Sequence, residues 1–450
     1  MPLWQSTYDG PVHGEDKVTG LVTDATCRCF LTGYSYGDTT DYDFATICVD
    51  STGTTRWTSR YGSPLHCEDR SWCLARDSAG NIIASGGTIA DFAVGWDFQT
   101  IKYHPSGDTA WLRRQDFALQ YDDKPAALGV GPGNVIWIAG ASRRQPGPGN
   151  SRSDWDISIV KYSPAGETLL TRLYNGTGRL DDYASSLAID DSGNCYIEGK
   201  TTSVSAGTDI VLLKYRSDGT LAWHRDIDGP ARASDMAAAV LLDRVGRVFV
   251  IGSVTGRASS FDYFVAAFDT AGRLLWQQQY DGAGRVDVAI AACLDAAGNI
   301  IVTGQSTGNG TSFDIATLKY STAGRLLWAR RYDGLRGAAD RGWCVTTDRQ
   351  SRVYVGGNSI GATAYPDILI ISYTADGDSL WSFRRSGTGS GEARPVALQA
   401  WDAEGENPGP GIPKLPRLLV AGWASMASTG FDYLLLLLDP ADRRRNGTRR

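Results

Sequence analysis

Asp287-Val-Ala-Ile-Ala-Ala-Cys-Leu-Asp295, Ala-Ala-Gly-Asn299, Ile300-Ile-Val-Thr-Gly304, Gln305 to Ser312, Phe313-Asp-Ile-Ala-Thr-Leu-Lys-Tyr320, Ser-Thr-Ala-Gly-Arg325 and Leu326-Leu-Trp-Ala-Arg-Arg-Tyr332 form one uninterrupted stretch. It reads as four short β-rich segments separated by Gly/Asn/Asp turns, with no stretch of helical period. The two glycine-bearing turns are tight hairpins. Four antiparallel strands, called A to D in chain order, make one propeller blade.

The stretch recurs through the chain. The Asp that opens strand C stands at Asp43, Asp97, Asp156, Asp209, Asp262, Asp314, Asp367 and Asp432, at intervals of 54, 59, 53, 53, 52, 53 and 65 residues. Fourteen residues after each of the first seven comes Trp57, Trp111, Leu170, Trp223, Trp276, Trp328 or Trp381 on strand D. Such a period marks solenoids and propellers. Phe431 to Asp439 is a strand C with no strand D after it, and Pro2 to Gly10 is a strand D with nothing before it. The reading is an all-β, eight-bladed β-propeller closed by pairing the two termini in one blade. It spans residues 1–441 as a single domain, and 442–450 is expected to be a disordered basic tail.

The motif Phe313-Asp-Ile-x-x-x-Lys-Tyr-x-x-x-Gly-x-x-x-Trp328, with Asp-x-x-Gly-Asn-Ile-Ile-Val-Thr-Gly in register, resembles the bacterial β-propeller repeat called SBBP over nearly the whole chain. That resemblance implies a fold and little chemistry, because the family is largely of unknown function. Gly324-Arg-Leu-Leu-Trp328 is also similar to the docking motif of eight-bladed quinoprotein dehydrogenases. The adjacent Cys-Cys pair that helps hold their quinone is missing, so no quinone is expected.

Composition narrows the function classes. The net charge of −6 argues against nucleic acid as the main partner, and no apolar run is long enough to span a membrane. No signal peptide is read, so the expected compartment is cytoplasmic unless the chain was trimmed. Cys27, Cys29, Cys48 and Cys67 crowd one region; buried packing, a disulfide and a metal are the alternatives there. Asn175, Asn309 and Asn446 begin glycosylation triplets that matter only on secretion.

Chemistry is sought on the face where the D–A and B–C loops emerge, because the B–C loops vary on a rigid scaffold. A second ladder runs there: Asp16, Asp69, Asp123, Asp182, Asp235, Asp287, Asp340 and Glu392, each just ahead of strand A. Either these carboxylates ring the channel mouth and hold a hard cation such as Ca²⁺, or each accepts backbone N–H groups and fixes a blade junction. Tyr34, Tyr36, Phe92 and Tyr365 depart from the repeat and are candidates to stack on sugar rings. Gly33-Tyr-Ser-Tyr-Gly37, Gly304-Gln-Ser-Thr-Gly308 and Gly357-Asn-Ser-Ile-Gly361 match Gly-x-Ser-x-Gly, but a nucleophile elbow needs a following helix, and these lead into a strand. The functional expectation is a monomeric binding module for a glycan or protein ligand, with no cofactor other than the open case of calcium. A lyase or hydrolase working at the channel mouth, with His66, Glu68, Asp69, Lys124, Asp122, Asp123 and Arg341 as its best groups, is the first alternative. An assembly scaffold is the second.

Overall fold

Strand alternation and regular turns give eight separate four-stranded antiparallel sheets in the computed structural model. It describes residues 2–37, 41–89, 95–117, 121–144, 154–203, 207–256, 260–308, 312–334, 337–361, 365–389, 391–401 and 417–439. Phe92, residues 402–416 and the tail 442–450 lie outside them. Blades 1 to 7 occupy 16–61, 69–115, 123–174, 182–227, 236–280, 287–332 and 341–385. Blade 8 joins Ala393–Trp401, Arg417–Met426 and Gly430–Leu438 to the N-terminal strand Pro2–Tyr8. Every strand A packs on strand A of both neighbouring blades, round to the first, so the ring is closed. Among the described residues no helix is long and apolar enough to cross a membrane.

The recurrent Trp explains how blades join. Trp4, Trp57, Trp111, Trp223, Trp276 and Trp328 each donate Nε1–H to a carbonyl in the C–D turn of the next blade, at 2.9–3.2 Å. The turn glycine lies flat on the indole: Gly324, at φ +83°, is so close to Trp276 that a Cβ would meet the ring. This position therefore needs glycine twice, for its backbone conformation and for the contact.

All eight A–B pairs carry a one-residue bulge near the start of strand A, as between Ala289 and Ala291. A Cβ on Gly304 would strike the Val288 carbonyl beside that bulge. The first glycine of the Gly-x-Ser-x-Gly matches is thus a packing requirement. Their serines, Ser35, Ser306 and Ser359, are fully buried and accept hydrogen bonds from Arg60, Arg331 and Arg384.

Cys29 opens a strand, while Cys27 sits just before it in a left-handed turn, so the Cys-x-Cys is not a strand pair. All eight cysteines are free thiols. Burial pushes Cys48 up to about 11 and Cys27 up to about 12, away from the thiolate form.

Candidate functional site

Antiparallel pairing brings the start of strand A, the end of B, the start of C and the end of D to one face of each blade. The carboxylate ladder lies there, but under the surface. Asp16, Asp69, Asp123, Asp182, Asp235, Asp287 and Asp340 are all buried. Oδ2 of each accepts a backbone N–H from the preceding D–A loop: Gly10 (2.7 Å), Ser63 (2.5 Å), Phe117 (2.8 Å), Gly176 (2.7 Å), Gly229 (2.7 Å), Gly282 (2.7 Å) and Gly334 (2.5 Å). The junction-fixing geometry is present in all seven. Burial is the main force on their acidity, partly opposed by these hydrogen bonds. It lifts Asp16, Asp69 and Asp235 to about 6 and Asp123 to about 7.

Blade 8 departs from the ladder. Its register places Arg394 opposite Trp423 and Ala393 opposite Ala424, where blade 1 has Lys17 opposite Tyr34 and Asp16 opposite Ser35. Ala393 therefore fills the Asp place, and Glu392 stands one residue before it. The ordinary count of twelve from Trp381 also falls on Ala393; Glu392 enters the ladder only at a count of eleven, which holds after Trp276 and not here.

A third acidic position escapes a reading by single ladders. It follows strand D, in Tyr8-Asp9-Gly10, Asp116, Asp228-Gly229, Tyr280-Asp281-Gly282 and Tyr332-Asp333-Gly334. Its recurrence was the available signal. Among the described residues, at five junctions this Asp, the strand-C Asp of its own blade and the strand-A Asp of the next blade bring one carboxylate oxygen each within 4.8 Å of the others.

The sixth residue of strand D decides the charge balance. Where it is arginine it pairs with the strand-C Asp: Arg60 with Asp43 (2.8 Å), Arg114 with Asp97 (2.8 Å), Arg331 with Asp314 (2.8 Å) and Arg384 with Asp367 (3.2 Å). In blade 5 it is Gln279, whose amide donates to Asp262 at 2.7 Å. In blade 3 it is Leu173, and Arg144 approaches Asp156 at 3.8 Å instead. In blades 4 and 8 the position holds Asp226 and Thr7.

Nearer the surface, symmetry breaks a second way. The residue after each ladder position is Lys17, Arg70, Lys124, Tyr183, Met236, Val288, Arg341 and, in the corrected register, Arg394. Blades 7, 8, 1, 2 and 3 thus carry a cation in succession, and blades 5 and 6 an apolar side chain. Each cation lies over an aromatic ring. Lys17 is 4.6 Å from the centre of Phe431, Arg70 is 4.3 Å from Tyr42 and 4.8 Å from Tyr34, and Lys124 is 5.7 Å from Trp155. Arg341 is 5.8 Å from Phe313 and Arg394 is 3.5 Å from Trp343. Glu15 and Glu68 hold Lys17 and Arg70 at 3.1 and 3.2 Å. Tyr34 belongs to this arc and is half-buried, while Tyr36 stacks edge-on against the same Tyr42 and is exposed. Tyr365 is exposed at the head of strand C of blade 7.

No protein-family model matches the chain, and no curated protein is similar to it in sequence. Solved structures with a similar fold include the periplasmic gluconolactonase PpgL of Pseudomonas aeruginosa, 14% identical over 77% of this chain and 93% of that one, with a TM-score of 0.45. Another is the polysaccharide lyase Uly1, 9% identical over 85% and 93% of the two chains, with a TM-score of 0.44. An ulvan lyase of family PL25, solved with a bound saccharide, is 11% identical over 83% and 94%, also at 0.44. At these scores the likenesses carry no weight for the site, which rests on the chain's own residues.

Proposed function

We propose that this propeller is a binding module whose loop face takes an anionic glycan along the cation arc of blades 7, 8, 1, 2 and 3. The symmetry break carries the reading. Met236 and Val288 fill the same place in blades 5 and 6, so the fold itself does not require a cation there. Five successive blades nevertheless place one beside aromatic rings. A uronate or sulfated sugar offers a charged group to a guanidinium and a C–H face to a ring, and the arc presents both. The chain's net charge of −6 disfavours diffuse attraction of a polyanion, so binding depends on local cationic clusters such as this arc.

Three of the carboxylates offered for acid–base chemistry are otherwise engaged. Glu68 pairs with Arg70, Asp69 is buried beneath Ser63 and Thr88, and Asp122 accepts the Trp96 N–H at 3.1 Å. Binding therefore ranks ahead of lyase or hydrolase chemistry.

Affinity electrophoresis in a polyuronate gel and in a neutral polysaccharide gel tests this. The protein is expected to be retarded only by the polyuronate, and Arg70→Ala or Arg341→Ala to weaken retention roughly tenfold, the scale of one lost charged hydrogen bond. Equal retention in both gels, or retention indifferent to both variants, refutes the proposal. An unsaturated product released from the polyuronate would favour the lyase alternative.

A further inference from the structure

Among the described residues five junctions repeat the same carboxylate triad, and three of them lack the strand-D guanidinium that balances the other two; at one of the three, between blades 5 and 6, the Gln279 amide serves Asp262 instead. At the junction closing the ring, Asp9, Asp16 and Asp432 meet, and Thr7 occupies the arginine position. Each carboxylate spends Oδ2 on a protein donor: His13 Nδ1 for Asp9 (2.5 Å), Gly10 N–H for Asp16 (2.7 Å) and Thr429 Oγ1–H for Asp432 (2.8 Å). Asp9 and Asp432 each leave Oδ1 buried with no hydrogen-bond donor, and Asp432 is only 5% exposed. Asp16 Oδ1 is likewise buried without a hydrogen bond in good geometry, although the Ser35 hydroxyl lies beside it. His13 stands on the solvent side and engages only the outer oxygen of Asp9.

At the junction of blades 4 and 5, Asp209, Asp228 and Asp235 meet, and the arginine position is a fourth acid, Asp226. Asp209 is 6% exposed, and its Oδ1 has no donor. In blades 2 and 6 a strand-D guanidinium on the strand-C Asp, Arg114 on Asp97 and Arg331 on Asp314, supplies the missing positive charge.

We propose that the triads at the closing junction and at the blade 4–5 junction, where the strand-D position supplies neither a guanidinium nor an amide, each bind a hard divalent cation, Ca²⁺, in place of that arginine. Buried carboxylate oxygens without donors are the ligands such an ion selects. Calcium takes six to eight oxygens at about 2.4 Å, so no two ligands stand more than about 4.8 Å apart, and the three oxygens of each triad lie within that limit of one another. Water and backbone carbonyls would complete the shell. Because each triad joins two blades, the ion would pin one to the next.

Equilibrium dialysis of chelator-treated protein against Ca²⁺ counts the sites. The decisive variant is Thr7→Arg combined with Asp226→Arg, which removes no carboxylate of either triad and copies residues other blades already carry. It is expected to bind two equivalents fewer than the parent protein. The single variants, and likewise Asp432→Asn and Asp209→Asn, should each lose one. The parent should also melt higher with Ca²⁺ than with EDTA, and the double variant should not. A loss of fewer than two equivalents in the folded double variant, including the case of a parent that binds none, overturns the proposal.

Discussion

Glu198 offers the most incisive test of the core. It lies in strand B of blade 4, fully buried, where the equivalent positions of blades 1, 2 and 6 hold Thr32, Ser85 and Thr303. Neither carboxyl oxygen has a hydrogen-bond donor in good geometry, and burial raises its pKa well above the ordinary 4.5. The folded state therefore keeps the proton while the unfolded chain releases it above about pH 4.5. With the native group binding more protons, stability must fall as pH rises through that window, by about 1.4 kcal/mol per pH unit. At pH 7 the accumulated cost reaches about 3.4 kcal/mol if the folded group is still protonated there. Glu198→Gln carries no such penalty. Urea denaturation of both proteins at pH 5, 6 and 7 should show the variant gaining on the parent with each step. Other titrating groups are common to both and cancel in the difference. Parallel stability profiles, or a variant that loses ground as pH rises, would refute the argument.

Trp328→Ala should destabilise by roughly 3–5 kcal/mol, because it empties a buried contact with Gly377 and removes the bond to the Ala375 carbonyl. Trp328→Leu should cost clearly less in the same denaturant titration, since Leu170 already fills this place in blade 3 against Gly219. The seven buried aspartates Asp16, Asp69, Asp97, Asp123, Asp156, Asp209 and Asp235 are raised to about 6 or 7. Their native forms hold protons that the unfolded chain loses near pH 4, so stability falls as pH rises from about 4 to 7. The melting temperature in EDTA should accordingly be higher at pH 5.5 than at pH 8; a flat profile would count against these raised acidities.

The blade count and the closing blade were legible because each depends on residues a fixed distance apart, such as Asp314 and Trp328. The triads were not, because their members come from three separate series. Asp432 and Asp16 each stood in a recognised ladder, but nothing in either spacing says that the ladders meet across a junction. The cation arc was hidden differently. Lys124 and Arg341 were visible singly, but taking Glu392 as the ladder residue, at eleven from Trp381 where twelve is usual, put Ala393 in the place that strand register gives to Arg394. Glu198 was silent because one acidic residue in a strand reads as solvent-facing until both neighbouring sheets are in place.

The seam in blade 8 also imposes an order of events. Tyr433 donates to the Ala45 carbonyl across 388 positions of sequence, and among the described residues Pro2–Tyr8 pairs only with Gly430–Leu438. At ribosomal speeds of about 5–20 residues per second, the first strand waits about 20 to 90 seconds for its partner. Seven blades can be assembled during that interval while an unmatched strand edge trails from the first of them. Its alternating half-buried and exposed side chains, with Pro2 at its head, make it a poor template for another molecule. The ring is thus closed last by the docking of the strand that was made before all the others in it.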